Sequence, residues 1–148
     1  MSTYSRLLVH LVFSTKERHP WIGGDMHSDL HAYLGGIARN IDTTPIAVGG
    51  VADHVHALVA MPTRLSVAEV VRTLKSNSSA WVHETWPGRL FQWQNGYGAF
   101  SVSESNQDAV VRYIGNQEEH HRKRTFQEEF LELLKRHGIE YDPRYVWD

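Results

Sequence analysis

Apolar side chains recur along this chain with two alternating periods, and this alternation limits the possible folds more than any other feature of the sequence. Residues 5 to 16 are rich in Val, Leu and Phe and alternate as a strand does. Residues 25 to 40 instead place apolar side chains every three or four positions, which predicts a helix. A chain that switches repeatedly between these periods is expected to fold into packed layers of strands and helices.

The remaining segments continue this pattern. They predict strands at 44–48, 51–61 and 97–103, and helices at about 66–84, at 110–121 and from 125 until Gly138. A turn at Gly49 and Gly50 should join two strands as a hairpin. Candidate helix N-caps are Asp25, Ser66, Ser105 or Asn106, and Thr125. The order β-α-β-β-α-β-α predicts a ferredoxin-like α+β fold, an antiparallel four-stranded sheet with helices on one face.

Composition indicates a single domain spanning residues 1–148. With 41% hydrophobic residues, a chain of this length can bury a core without cross-links. It contains no cysteine, which excludes disulfides and thiolate chemistry and is typical of the reducing cytoplasm. No apolar run is long enough for a membrane span and no signal peptide is recognisable, so we expect neither a membrane nor secretion.

Two histidines lie two residues apart in an apolar segment, His54-Val55-His56. Residues i and i+2 of a strand point to the same side, so both imidazoles could meet one cation. The alternative is that both are partly buried strand residues without a ligand. Asp53, beside the pair, is expected on the opposite strand face with a structural role.

A second polar group lies about sixty residues downstream. Tyr113, Gln117 and His121 follow one another at i, i+4 and i+8 of a predicted helix, with His120 close to the same face. A phenol and potential metal ligands would then project together. Taken alone, Tyr113 could equally be a core aromatic, Gln117 a surface residue, and His120 and His121 solvated side chains or contacts to a DNA backbone.

These two groups resemble the motifs of the TnpA-like single-tyrosine HUH transposases of small bacterial and archaeal insertion sequences, to which the REP-associated tyrosine transposases are related. His54 and His56 match the family's His-hydrophobe-His pair, Tyr113 its nucleophile and Gln117 its ligand glutamine. The resemblance therefore favours Gln117 over His121 as the third metal ligand. The resemblance extends nearly end to end, through Leu8–Lys16, Gly49–His56, Tyr97–Ser101 and Tyr141–Asp148.

The resemblance implies an enzyme that cleaves and rejoins single-stranded DNA at insertion-sequence ends. Tyr113 would form a 5'-phosphotyrosine intermediate, and His54, His56 and Gln117 would hold the metal. Such ligands would accept zinc, manganese or magnesium, and the family implies Mg²⁺ or Mn²⁺. DNA with hairpin ends is the implied substrate, without a nucleotide cofactor. The implied assembly is a homodimer in which the tyrosine helix of one subunit completes the metal site of the other, in a bacterial or archaeal cytoplasm.

The net charge of −2 is a mild argument against a nucleic-acid binder. Positive side chains nevertheless flank both motifs, and we predict that they contact DNA, the alternative being solvated helix faces. These candidates are Arg64, Arg72, Lys75, Arg112, Arg122 and Lys123. Acidic residues concentrate instead at Glu128, Glu129 and Glu132.

Two other functions fit the same sequence. One is a domesticated relative that processes chromosomal palindromic repeats by the same chemistry. The other is a ferredoxin-like module that binds single-stranded nucleic acid without catalysis. The second would bind whether or not EDTA is present and would tolerate Tyr113→Phe.

Overall fold

A computed structural model describes residues 1–148 as one four-stranded antiparallel sheet with five helices. The sheet order is β2-β3-β1-β4. The elements are β1 (Leu8–Ser14), α1 (His27–Asn40), β2 (Thr44–Val51), β3 (His54–Ala60), α2 (Val67–Thr85), β4 (Gly98–Val102), α3 (Gln107–Gly115), α4 (Gln117–His121) and α5 (Phe126–Arg136). The predicted α+β class and the four-stranded antiparallel sheet are confirmed. No helix combines the length and apolarity needed to cross a membrane.

Helices cover both faces of the sheet, so the expectation of a single covered face is wrong. Leu11 and Phe13 of β1 and Val55 of β3 belong to the main core, together with apolar residues of α1 and α2. On the opposite face, Val12 packs with residues of α5, and Leu58 packs with Ile114 of α3. Strands β1 and β3 are buried on both sides, which explains why they are apolar almost throughout rather than strictly alternating.

The hairpin turn between β2 and β3 lies at Ala52 and Asp53, not at the two glycines. Gly49 and Gly50 belong to β2 and pair with β3. A Cβ atom on Gly49 would lie 2.6 Å from the carbonyl oxygen of Ile114 in α3. Gly50 has a φ of 151°, which favours glycine, and its Cβ would lie 2.2 Å from a β3 carbonyl. These glycines therefore permit close backbone approach.

Two of the predicted helix caps form and the others do not. Ser66 accepts a hydrogen bond from the Glu69 amide, and Thr125 forms a complete capping box with Glu128. Asn106 occupies the N-cap position of α3 without a side-chain cap bond. The prediction for Asp25 is wrong, because α1 begins two residues later and the Asp25 carboxylate pairs with Arg89.

The helix predicted over 110–121 is interrupted. Helix α3 ends at Gly115, Asn116 leaves the helical conformation with φ −102° and ψ 21°, and α4 starts at Gln117. Gly and Asn are the residues most often found at helix C-termini, which explains the break. The side chain of Gln117 remains close to the preceding turn, with its Nε2 atom 3.5 Å from the Tyr113 carbonyl oxygen.

Candidate active site

His54 and His56 lie on the sheet face that α3, α4 and α5 cover, and both side chains are completely buried. Their position follows from the strand alternation, because Val55 and Ala57 point into the main core on the other face. The predicted pair therefore shares one face of β3, and that face is covered by the helices that carry the other polar candidates.

Glu129 of α5 reaches this pair from the opposite side. Its carboxylate is 1% exposed, and its Oε1 atom lies 2.9 Å from His56 Nε2 and 3.3 Å from His54 Nε2. Helix α5 directs Glu129 inward because the residue lies on the same apolar face as Phe126 and Leu133, which are also buried. A buried carboxylate is stable only when it is paired, and here imidazoles surround it.

Gln117 and His121 of α4 complete the group. Gln117 Oε1 lies 2.9 Å from His54 Nε2 and 3.0 Å from His121 Nε2, while Gln117 Nε2 donates to Glu129 Oε2 at 3.0 Å. His121 Nε2 also lies 3.2 Å from Glu129 Oε1. We call these five residues, His54, His56, Gln117, His121 and Glu129, the histidine–glutamate cluster.

Tyr113 meets the histidine–glutamate cluster from α3. Its half-buried phenol donates a hydrogen bond to Glu129 Oε2. The ring lies edge-on to His56, with ring centroids 5.7 Å apart. The tyrosine of this chain therefore lies next to the histidine pair of the same chain, within one subunit.

Two further side chains fix the orientation of the histidine pair. The Asp53 carboxylate accepts a hydrogen bond from His54 Nδ1 at 2.7 Å, and His10 Nε2 lies 2.7 Å from His56 Nδ1. Both contacts leave the Nε2 atoms pointing toward Glu129. Asp53 thus has the arrangement of a residue that orients a metal-binding histidine. Its carboxylate lies beside the pair, and not on the opposite strand face as expected.

Burial affects the three histidines differently. It lowers the pKa of His56 to about 4, against the opposing effect of Glu129. Burial and the neighbouring His56 lower the pKa of His10 to about 3. Burial also disfavours the charged form of His54, but hydrogen bonds to Asp53 and Glu129 outweigh it and raise the pKa of His54 to about 9. Without another cation, His54 is therefore the histidine that carries a proton.

The pKa values of Tyr113, the candidate nucleophile, and of Glu129, which accepts its hydrogen bond, are shifted in opposite directions. Burial and the hydrogen bond to Glu129 raise the pKa of Tyr113 above its ordinary value, so the phenol is protonated at neutral pH. Burial by itself would raise the pKa of Glu129. Its contacts with His121, His54 and His56 instead hold this pKa far below the usual range, so the carboxylate is ionised.

The structure brings together the four residues that the sequence singled out, namely Tyr113, His54, His56 and Gln117. Glu129 was not singled out from the sequence, where it stands among the acidic residues Glu128 and Glu132. The available signal was its spacing, three residues after Phe126 and four before Leu133. His10 was given no site role, although it contacts His56. His121 was ranked behind Gln117 as a ligand, and the structure places it in the histidine–glutamate cluster.

The six basic residues predicted to contact DNA differ in their surroundings. Lys75 donates to the backbone oxygens of Gln94 and Gly96, and burial lowers its pKa to about 8. Arg64 pairs with Asp42 at 2.5 Å. Arg72, Arg112, Arg122 and Lys123 are exposed. Of the six, only Arg122 lines a cavity that also includes a residue of the histidine–glutamate cluster.

Two cavities border the site. One, of about 510 Å³, is lined by His121, by three arginines, Arg18, Arg122 and Arg124, and by three acidic residues, Glu17, Asp53 and Glu118. The other, of about 430 Å³, is lined by Tyr113, His10 and Arg136. Each cavity therefore places an arginine near a cluster residue or near the phenol, and arginine is a common contact of phosphate groups. Of the two, only the cavity at Tyr113 has no acidic residue in its lining.

Comparison with known proteins gives consistent matches. The family model described as "Transposase IS200 like" matches residues 3–117. The ISDra2 transposase TnpA of Deinococcus radiodurans is 27% identical over 120 residues, which cover 76% of this chain and 84% of the relative.

Two solved structures share the fold. A crystal structure of a Deinococcus radiodurans R1 protein described as a transposase aligns with a TM-score of 0.65 and 25% identity, covering 79% of this chain and 95% of that one. A REP-associated tyrosine transposase bound to a REP hairpin aligns with a TM-score of 0.60 and 16% identity, covering 82% and 74% respectively.

Proposed function

Because this chain belongs to the family of IS200-like transposases, whose activity is the cleavage and transfer of DNA strands, we propose that it cleaves and rejoins single-stranded DNA through Tyr113. The observation that carries this proposal is the meeting of the Tyr113 phenol with the buried histidine pair at one carboxylate, Glu129. An isolated core tyrosine would have no reason to lie against the one buried group of imidazole, amide and carboxylate side chains.

In the proposed reaction the phenolic oxygen of Tyr113 forms a bond to phosphorus while the bond from phosphorus to the 3'-oxygen breaks. The products are a 5'-phosphotyrosine and a free 3'-hydroxyl. The phosphodiester energy is kept in the enzyme-DNA bond, so a second 3'-hydroxyl reseals the strand without ATP. The phenol must lose its proton, and the Glu129 carboxylate already accepts its hydrogen bond.

We propose His54, His56 and Gln117 as ligands of a divalent cation, Mg²⁺ or Mn²⁺. Their chemistry supports this assignment, because the Nε2 atoms of His54 and His56 both lie within 3 Å of an oxygen atom of a neighbouring side chain, so that nitrogen and oxygen donors converge. A bound cation would neutralise charge on the scissile phosphate and on the leaving oxygen. Asp53 and His10 would hold the imidazoles in the orientation that this requires.

We propose DNA with hairpin ends as the substrate and a homodimer as the working form, in a bacterial or archaeal cytoplasm. The hairpin-bound relative and the family match support the substrate. Three arginines line the cavity beside His121, together with Glu17, Asp53 and Glu118, and Arg136 borders the cavity at Tyr113, where a scissile phosphate would lie.

Incubation with a labelled hairpin-bearing single strand and Mn²⁺ tests this function. The wild-type protein should form a protein-DNA adduct that survives SDS. Tyr113→Phe and His54→Ala should abolish the adduct, whereas Tyr145→Phe, an exposed tyrosine, should retain it. Double-stranded DNA should give little product.

The same assay separates catalysis from binding alone. A non-catalytic single-strand binder would retain the strand with EDTA present and would be unaffected by Tyr113→Phe. An adduct that persists in Tyr113→Phe would place the nucleophile elsewhere and contradict the proposal.

A further inference from the structure

We infer that Glu129 and His121 are additional ligands of the divalent metal, which gives a metal shell built from three elements of one chain. This inference rests on the proposed function, since it concerns the same metal. His54, His121 and Glu129 offer ligand atoms that all lie within 4.8 Å of one another. Strand β3, helix α4 and helix α5 each supply one of them.

Hydrogen bonding leaves several lone pairs facing one another in this group. The Asp53 carboxylate accepts from His54 Nδ1, and the Arg124 carbonyl oxygen accepts from His121 Nδ1. A neutral histidine has only one N–H, so as neutral ligands both rings would turn an Nε2 lone pair inward. Both Nε2 atoms face the same two acceptors, the Oε1 atoms of Gln117 and Glu129.

The orientation of Gln117 supports this assignment. Its amide nitrogen donates to Glu129 Oε2 at 3.0 Å, which directs its oxygen toward the two histidines. Two nitrogen lone pairs and two acceptor oxygens in a buried space repel one another unless positive charge lies among them. Either two protons or one divalent cation would supply that charge.

The spacing of these atoms suits a cation. Ligands bound at about 2.1 Å are separated by about 3.0 Å along the edge of an octahedron and about 3.4 Å along that of a tetrahedron. The four contacts between the Nε2 atoms of His54 and His121 and the Oε1 atoms of Gln117 and Glu129 measure 2.9, 3.0, 3.2 and 3.3 Å.

Glu129 would also determine which metal binds. Histidine and glutamine ligands are neutral, and a site made only of them leaves the full charge of the cation in the protein interior. Hard cations such as Mg²⁺ and Mn²⁺ favour carboxylate oxygen over nitrogen. The carboxylate of Glu129 supplies the negative charge that such a cation requires, and its second oxygen keeps the Tyr113 phenol beside the metal shell.

Direct Mn²⁺ titration by calorimetry tests the inference without any DNA. Glu129→Gln preserves the size of the side chain and removes its charge, and His121→Gln removes the imidazole. Each should weaken Mn²⁺ binding at least about tenfold relative to wild type. Glu132→Gln on the same helix and His19→Gln at an exposed position should bind as wild type does. Circular dichroism and thermal unfolding would establish that each variant is folded.

Unchanged Mn²⁺ affinity in either Glu129→Gln or His121→Gln overturns the inferred shell. Glu129→Asp provides a second test, because the shorter side chain keeps the carboxylate charge but places it farther from the histidines. It should also bind more weakly than wild type, and unchanged affinity would again count against the inference. His54→Ala separates the two proposals: if it too binds Mn²⁺ normally, the metal site of the proposed function fails as well.

Discussion

Asp53 illustrates how a residue outside the metal shell controls the site. Its carboxylate is one of the two contacts that hold the histidine pair, and it determines which nitrogen of His54 carries the proton. A histidine whose Nδ1 hydrogen is donated to a carboxylate is a better ligand through Nε2, because the carboxylate makes the ring more basic.

Asp53→Asn should therefore weaken Mn²⁺ binding roughly tenfold while the fold is retained. An amide oxygen can still accept from His54 Nδ1, but it lacks the negative charge that strengthens the ligand. Asp29→Asn, at an exposed position of α1, is the control. Calorimetric titration of both variants measures the difference, and equal affinities would show that Asp53 has no part in metal binding.

His10 and His56 are buried as neutral rings, and this has a consequence for acid stability. Burial is the main cause of the low pKa of His10. The neighbouring His56 and His137 lower this pKa further, and Glu129 opposes them. In the unfolded chain these rings gain protons below about pH 6.5, whereas in the folded protein the pKa values are about 3 and 4. The unfolded state then binds more protons, so stability falls as pH falls.

We expect these two rings to lower the free energy of unfolding by on the order of 4 kcal/mol between pH 6 and pH 4.5. His54 adds little to this slope. Its pKa is raised to about 9 in the folded protein, so below about pH 6.5 the ring is protonated in both states and its stabilising contribution is constant. Urea unfolding in EDTA measures the effect. His10→Gln should reduce the slope and His19→Gln should not. A slope that His10→Gln leaves unchanged would contradict this explanation.

At the scale of the elements, the contact of α3 with the sheet determines where Tyr113 lies. Gly49 of β2 touches the backbone of Ile114, the residue next to Tyr113. A side chain at position 49 would clash with the Ile114 backbone and would push α3 away from the sheet.

Gly49→Ala should therefore destabilise the fold by roughly 1–3 kcal/mol and displace Tyr113 from Glu129. Gly36→Ala is a matched control, because its Cβ meets nothing within 4 Å, and in a helix it should be neutral or stabilising by up to about 1 kcal/mol. Urea unfolding and adduct formation would be measured for both. Equal stability of the two variants would show that α3 is free to shift.

Predictability from sequence differed between elements for physical reasons. Strands β1 and β3 and helix α2 follow directly from local periodicity and from the capping box at Ser66. The turn at Ala52 could not be predicted, because the two glycines are required for other reasons: Gly49 by a contact with α3 that is remote in sequence, and Gly50 by its φ and its close approach to β3. The break at Asn116 could have been predicted from the adjacent Gly115 and Asn116. The apolar spacing continues across it, however, and indicates one uninterrupted helix.

The site was predictable only as far as its motifs extended. His54, His56, Tyr113 and Gln117 were found because their spacing places them on shared faces and resembles a known family. Glu129 was missed because three acidic residues lie close together on α5, and only the phase of the helix shows which one faces inward. His121 was weighed against Gln117 as a ligand, whereas the structure places both in the histidine–glutamate cluster.

At the scale of the whole molecule, one subunit contains both the tyrosine and the histidine pair. The family resemblance implies instead that a dimer exchanges its tyrosine helices. The two arrangements differ in what a mixture of inactive subunits does. If Tyr113 acts on its own subunit's site, each site in a mixed dimer lacks either His54 or Tyr113, and both sites are inactive.

Mixing His54→Ala with Tyr113→Phe therefore should not restore adduct formation. The proteins would be mixed, allowed to exchange subunits and incubated with the labelled hairpin strand. Restored adduct in the mixture would establish that the tyrosine helix acts on the partner subunit's site, as the resemblance implies. Either protein alone provides the background.

The central claim is that one particular phenol, held beside the histidine–glutamate cluster, attacks the DNA. Mass spectrometry of the digested adduct tests this directly, because the sequence contains six tyrosines and only the nucleophile carries phosphorus-linked DNA. The account predicts nucleotide mass on Tyr113 in the presence of Mn²⁺ and none in EDTA. Nucleotide mass on any other residue, or on Tyr113 regardless of metal, would contradict it.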